Sequence, residues 1–139
     1  MIGTASASNE SFLRELGADE VIDYRTTRFE ELVREIDVVL DPIVGDTQER
    51  SWQVLKKGGM LVATLGISSP ETARRHGVRG EGVGVHTDTA QLAQIAAPID
   101  AGDMKPAVTT VLPMAEAARA HELSQTGHAW GKIMLQVGD

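Results

Sequence analysis

Ile36-Asp37-Val38-Val39-Leu40-Asp41-Pro42-Ile43-Val44-Gly45 is the stretch on which the fold turns. Its first five residues form a nearly continuous apolar, largely β-branched run, the pattern of a parallel strand buried on both faces. Downstream, Asp46 or Thr47 caps a predicted helix that carries Trp52 and Leu55 and has Lys56 and Lys57 near its negative end. Gly58-Gly59 stops that helix, and Met60 to Leu65 reads as a second buried strand ending at Gly66. Upstream, Phe29, Leu32, Val33 and Ile36 recur at helical spacing, and Val21-Ile22-Asp23-Tyr24 reads as a strand. Before it, Ser8 or Asn9 caps a helix with Phe12, Leu13 and Leu16 on one face and Gly17 at its close. Met1 to Ala5 is the end of a further strand.

Strand and helix thus alternate at a spacing of about twenty residues, short enough for right-handed crossovers in a parallel sheet. The second half is less regular. Ile67 to Gly77 reads as a loop, and Val83 to His86 as a weak strand. Thr87 or Asp88 caps a helix to about Ala101, with Leu92, Ile95, Ala96 and Ile99 on its inner face. Val108 to Leu112 is a strand, Pro113 opens a helix, and Ile133 to Val137 is a closing strand. No strand–GxGxxG–helix unit occurs. Gly80, Gly82 and Gly84 follow charged residues and read as a glycine-rich edge strand rather than a phosphate loop.

The composition narrows the function. The chain has 139 residues, the length of one domain, with 13 Lys and Arg against 20 Asp and Glu, a net charge of −7. That balance argues against a phosphate-gripping nucleic-acid binder. The absence of Cys excludes disulfides, thiolate catalysis and Cys-based zinc sites. No apolar run is long enough to span a membrane, and the amino terminus lacks a basic-then-apolar leader pattern, so the expectation is a soluble, cytoplasmic protein. The four histidines (His76, His86, His121 and His128) share no metal-like spacing, and His121 reads as a core residue of the last helix.

An ordered series of short segments resembles the cofactor domain of medium-chain dehydrogenases/reductases, in their zinc-free, NADP-dependent quinone and enone reductase branch. It runs through Gly3-Thr4-Ala5-Ser6, Leu16-Gly17-Ala18-Asp19-Glu20-Val21-Ile22-Asp23-Tyr24, Asp37-Val38-Val39-Leu40-Asp41, Leu55-Lys56-Lys57-Gly58-Gly59 and Leu65-Gly66. It continues through Ile99-Asp100-Ala101-Gly102, Lys105-Pro106, Pro113-Met114-Ala115-Glu116-Ala117, Ala120-His121, Gly127-His128 and Gly131-Lys132-Ile133. The resemblance implies an α/β fold: a partial Rossmann-like, doubly wound parallel sheet without its first strand and glycine-rich loop, closed by a short strand–helix–strand return. Residues 1–104 are then an incomplete dinucleotide-binding domain. Residues 105–139 are a carboxy-terminal segment that would pack on a catalytic domain not contained in this chain.

The resemblance also implies a nicotinamide site at the carboxyl ends of the strands. Ser6, with Asn9 beside it, stands where NAD-preferring sites place an acid, and the neutral stretch Ser6-Ala7-Ser8-Asn9 suits a 2′-phosphate. Tyr24 is expected to pack against that phosphate. Pro42, Ile43 and Val44 line the crevice after the Ile36–Leu40 strand, although the family commonly has a small polar residue where Pro42 stands. Gly66 and Ile67 lie by the nicotinamide ribose, and Val85 and His86 by the carboxamide. Lys132 follows Trp130, which stands where the family commonly has Arg. The plain alternatives are a helix cap for Asn9, a solvated strand end for Tyr24 and a solvated lysine for Lys132.

No catalytic residue and no metal ligand is assigned. The implied cofactor is NADPH, held weakly or not at all by this chain alone, and the implied substrate is a small carbonyl compound or quinone. Val78 to Val85 resembles the strand through which family dimers join their sheets, so a homo-oligomer is expected. Two other readings compete: a non-catalytic remnant that serves only to dimerise, and an unrelated nucleotide or methyl-donor domain of similar winding.

Overall fold

The computed structural model describes residues 1–127 and 129–138. It is α/β throughout, and every strand pair formed is parallel. The chain divides into two compact units, residues 1–85 and 86–139. The division expected at 104/105 falls inside the second unit.

The first unit starts with β1 (Ile2–Ala5), a short 3-10 turn at Ala7–Asn9, α1 (Glu10–Glu15) and β2 (Glu20–Asp23). β1 and β2 pair in register Ile2↔Glu20 to Ala5↔Asp23. There follow α2 (Phe29–Leu32), β3 (Ile36–Asp41), α3 (Asp46–Ser51), β4 (Leu55–Ala63), α4 (Pro70–His76) and β5 (Arg79–Gly82). These last strands make a separate sheet in the order β3-β4-β5. Among the described residues β1 pairs only with β2 and β3 only with β4, so each keeps one unpaired edge. β5 is an edge strand, as its glycines suggest.

Two apolar clusters hold this unit. Ile22, Phe29 and Val54 form one, with Val33, Ile36 and Val39 against it. Trp52, Leu61, Ala63, Ala73 and Val78 form the other, with Val39, Leu55 and Ile67 against it. Val39 touches both because it lies on the inner face of β3. The opposite face of that strand departs from expectation: Val38 is 54% and Leu40 68% exposed. The strand is covered on one face only.

Other expectations shift for local reasons. The helical repeat from Phe29 stops at Leu32 because Val33 turns extended and Glu35 takes a positive φ of 58°. Leu55, Lys56, Lys57, Gly58 and Gly59 belong to β4, not to a helix: α3 ends at Ser51, and Leu55 pairs with Ile36. Gly59 is needed there, since a Cβ would lie 2.9 Å from the Lys56 carbonyl and 3.1 Å from those of Ile36 and Asp37. The stretch expected as a loop after Gly66 contains α4, whose Ser69 cap accepts from Thr72 N and whose end is the left-handed Gly77. The strand expected at Val83–His86 lies instead at Arg79–Gly82, where Gly80 makes room for Trp52, whose Cη2 would be 3.0 Å from an added Cβ.

The second unit holds α5 (Thr89–Asp100), β6 (Val108–Pro113), a 3-10 turn at Met114–Glu116, α6 (Ala117–Gln125) and β7 (Lys132–Gln136). β6 and β7 pair in parallel around α6, the expected strand–helix–strand return. Asp88 caps α5, but Leu92 and Ile95 are exposed rather than inward. Pro113 ends β6 and caps the 3-10 turn rather than opening the helix. His121, expected in the core, is exposed; Ala120 is the buried residue of α6. No helix is long and apolar enough to cross a membrane among the described residues.

Candidate functional site

Parallel pairing brings the carboxyl ends of neighbouring strands to one rim in each sheet, where side chains and backbone are free of the ladder. On the β1–β2 pair, Ala5 sits opposite Asp23, so Ser6 and Tyr24 are brought together, and Tyr24 N donates to Ala5 O at 3.2 Å. Ser6 is buried, and its Oγ shares a hydrogen bond with Ser8 Oγ at 2.9 Å. Asn9 belongs to the same turn: its backbone N donates to Ser6 O at 2.9 Å, and its side chain makes no cap bond to α1. Tyr24 is exposed, with the Arg25 guanidinium 5.9 Å from its ring centre. The Asp23 carboxylate at the same rim is engaged locally, accepting from Arg25 N at 3.0 Å.

The β3–β4 rim is more tightly built. Asp41, 2% exposed, accepts from Ile43 N at 2.9 Å and Val44 N at 3.0 Å through Oδ1. This closes the turn Pro42-Ile43-Val44-Gly45 around a carboxylate. Val44 has φ 60° and Gly45 φ 63°. A β-branched residue in that region is strained, and such strain persists where surrounding bonds over-determine it. Thr64 N donates to Asp41 O at 3.1 Å, bringing the end of β4 alongside. Pro42, Ile43 and Val44 thus follow the end of β3, and Gly66 and Ile67 the end of its neighbour β4. The Ile67 side chain packs into the Trp52 cluster and reaches Gly80.

One residue of this rim escaped the sequence reading. Gln48 on α3 is fully buried, and its amide bonds both turns. Nε2 donates to Asp41 Oδ2 at 3.0 Å and to Gly66 O at 3.1 Å, while Oε1 accepts from Ser68 N at 2.8 Å and Ser68 Oγ at 2.7 Å. Its neighbours Asp46, Thr47, Glu49 and Arg50 are all polar, so hydropathy marks it as solvated. No local sequence signal singles it out.

The remaining sequence candidates divide between the units. Val85 is exposed and ends the first, and His86 begins the second. Lys132 opens β7 in the second unit and lines a cleft of about 410 Å³ with His121 and Ser124. His128, part of the Gly127-His128 segment of the resemblance, lies outside the described residues.

Parallel α/β winding with a rim of turns at the strands' carboxyl ends is the Rossmann-like architecture. The chain belongs to the zinc-binding dehydrogenase family, whose model matches residues 16–135. It is 31% identical over 134 residues to the NADPH-dependent alkenal/one oxidoreductase, chloroplastic, of Arabidopsis thaliana, covering 95% of this chain and 32% of that protein. It is 26% identical to a probable zinc-binding oxidoreductase, mitochondrial, of Arthroderma benhamiae, covering 99% of this chain and 44% of that one. The solved quinone oxidoreductase from Coxiella burnetii superposes with a TM-score of 0.91 at 29% identity, covering 99% of this chain and 44% of that one. The chain thus spans less than half the length of these relatives. Among the described residues nothing fits the zinc of the family name. Among the described residues no group of three His, Cys, Asp or Glu could hold a metal, and the sequence has no Cys.

Proposed function

We propose that this chain forms the nucleotide side of an NADPH-dependent oxidoreductase that passes hydride to a small carbonyl compound, an enone or a quinone. The observation that carries the reading is the rim shared by β1 and β2. Ser6 replaces the acid that would hold a ribose 2′-hydroxyl, and Tyr24 and Arg25 stand beside it with an aromatic face and a cation. A hydroxyl, an aromatic face and a guanidinium suit a 2′-phosphate, and Asn9 completes the same turn. Pro42, Ile43, Val44, Gly66 and Ile67 on the second rim would take the ribose and nicotinamide, with Val85 as a further contact. The nicotinamide supplies the hydride chemistry when bound. These residues bind and orient it, and no catalytic side chain is assigned among them.

The test is titration of the 139-residue chain with NADPH and with NADH, followed through the amide resonances of Ser6 and Tyr24. NADPH is expected to bind weakly and at least tenfold more tightly than NADH. Equal or tighter NADH binding overturns the preference, and no response to either shows that this chain alone does not hold the nucleotide. The proposal places the protein in the cytoplasm, as a homo-oligomer. A second reading, a non-catalytic dimerising module, rests on the free edge of β5 and the exposed Val83 and Val85 that follow it. Sedimentation as a dimer with no nucleotide response favours it.

A further inference from the structure

We infer that Gln48 is the positioning residue of the β3–β4 rim, locking the Asp41–Gly45 turn and the Gly66–Ser68 turn into one preformed surface. The inference rests on reading that rim as a nucleotide site. A buried primary amide has two donor and two acceptor positions, and here both donors and at least one acceptor position are used across two separate turns. The orientation of the amide is fixed by its partners. Ser68 N can only donate and Gly66 O can only accept, so a flipped amide would set donor against donor and acceptor against acceptor.

Through Asp41 the effect reaches the strained turn. With Oδ2 held by Gln48, Oδ1 stays in line for the N–H groups of Ile43 and Val44. The clamp therefore explains how a valine persists at φ 60° beside the crevice. It also couples the rim's two halves: Asp41 cannot rotate without releasing Nε2, and Nε2 is shared with Gly66 O. A ligand meeting the turn at Ile43–Val44 thereby meets Gly66–Ser68 already in place, which spares the cost of ordering two loops. Gln48 itself is fully buried and touches no ligand; it acts through Asp41, Gly66 and Ser68.

The experiment is amide hydrogen exchange on the full chain for wild type, Gln48→Leu and Gln48→Glu, alongside NADPH titration. Gln48→Leu roughly keeps the buried volume and removes every bond. Exchange at Ile43, Val44 and Ser68 is expected to rise at least tenfold, with Leu61 and Val62 in β4 unchanged. Gln48→Glu keeps the acceptor for Ser68 but faces Asp41 with a second carboxylate, Glu49 lying beyond Ser68. Near neutral pH it should loosen Ile43 and Val44 while sparing Ser68. On acidification the introduced carboxyl gains a proton, donates to Asp41, and protection at Ile43 and Val44 returns. A merely space-filling residue would give no such pH profile. Unchanged exchange at Ile43 and Val44 in both variants, or a rise spread evenly over β4, overturns the inference. In the NADPH arm, wild type that binds should be weakened at least tenfold by Gln48→Leu, and equal affinity also overturns it. Wild type that binds nothing shows that this chain alone does not hold the nucleotide, and the exchange arm alone then decides the role of Gln48.

Discussion

Replacing Glu30 by Ala should cost the first unit a measurable part of its stability, and should do so only above acidic pH. Glu30 is 4% exposed on α2. Its Oε2 accepts from Arg50 Nη1 on α3 at 3.1 Å, and its Oε1 accepts from Arg28 Nε at 2.8 Å. Arg50 also bonds Asp46 Oδ2 at 3.0 Å and lies 5.1 Å from the centre of the Phe29 ring, which belongs to the Ile22–Val54 cluster. The carboxylate therefore ties two short helices to a core patch. A hydrogen bond to a charged group contributes roughly 1.5–3 kcal/mol, and removing one partner of a buried pair strands the other. Arg50 keeps Asp46 and some water, and Arg28 is mostly solvated, so its contact adds little. The expected loss is about 1–3 kcal/mol, or a Tm lower by roughly 4–12 °C.

The pH dependence follows from the direction of the Glu30 shift. Burial pushes its carboxyl up, but a backbone hydrogen bond and the guanidinium groups of Arg28 and Arg50 outweigh burial and hold it below the ordinary glutamate value of 4.5. A depressed acid contributes stability that is fully present above its unfolded pKa and is lost as pH falls through the folded value. The gap between wild type and Glu30→Ala should be widest near neutral pH and close as the pH falls below that ordinary value. Urea denaturation followed by circular dichroism across that range reads it. A difference under about 0.5 kcal/mol at neutral pH, far below what a charged hydrogen bond contributes, or a gap that persists unchanged into strong acid, refutes the reasoning.

If the chain self-associates through the β5 edge, the paired change Val83→Lys with Val85→Lys should abolish it, read by sedimentation velocity at micromolar to submillimolar concentration. Fully burying such a side chain contributes about 1.5–3 kcal/mol, so covering the 46% and 91% now exposed would contribute about 2–4 kcal/mol to a dimer. Asp88→Ala removes bonds to Ala90 N at 2.8 Å and Gln91 N at 3.1 Å. It should cost α5 about 1 kcal/mol, seen as faster exchange in its first turn. Gly80→Val drives a side chain onto Trp52 and Ile67 and should destabilise the first unit by about 1–3 kcal/mol while shifting the emission of buried Trp52.

What the sequence reveals depends on whether the cause is local. The Ile36–Leu40 run and the Asp88 cap carry their own signals, and both elements form where those signals stand. α4 has equally local signals in Ser69-Pro70 and Gly77, yet only Ala73 of it is buried, so a search for apolar periodicity passes over it. Leu55 illustrates the opposite error. Its spacing from Trp52 fits one helical face, but its structural role is to pair with Ile36, a contact between strands that local spacing does not encode. The exposed outer side of β3 is equally out of reach, because a β-branched run shows that a strand wants cover and not whether cover is present.

The site divides in the same way. Ser6 and Tyr24 could be paired from sequence because both end strands, and a parallel register must bring such ends together. Gln48 could not, because its function is a matter of burial. In water a glutamine amide satisfies its bonds with solvent at no net gain; sealed behind β3 and β4, the same amide must find protein partners or carry the cost of unpaired polar atoms. That penalty gives the clamp its stiffness. Any motion that separates the Asp41 turn from the Ser68 turn exposes a buried amide to a site with no replacement bond. The rim thus resists opening through the same satisfied network that makes its polar core tolerable.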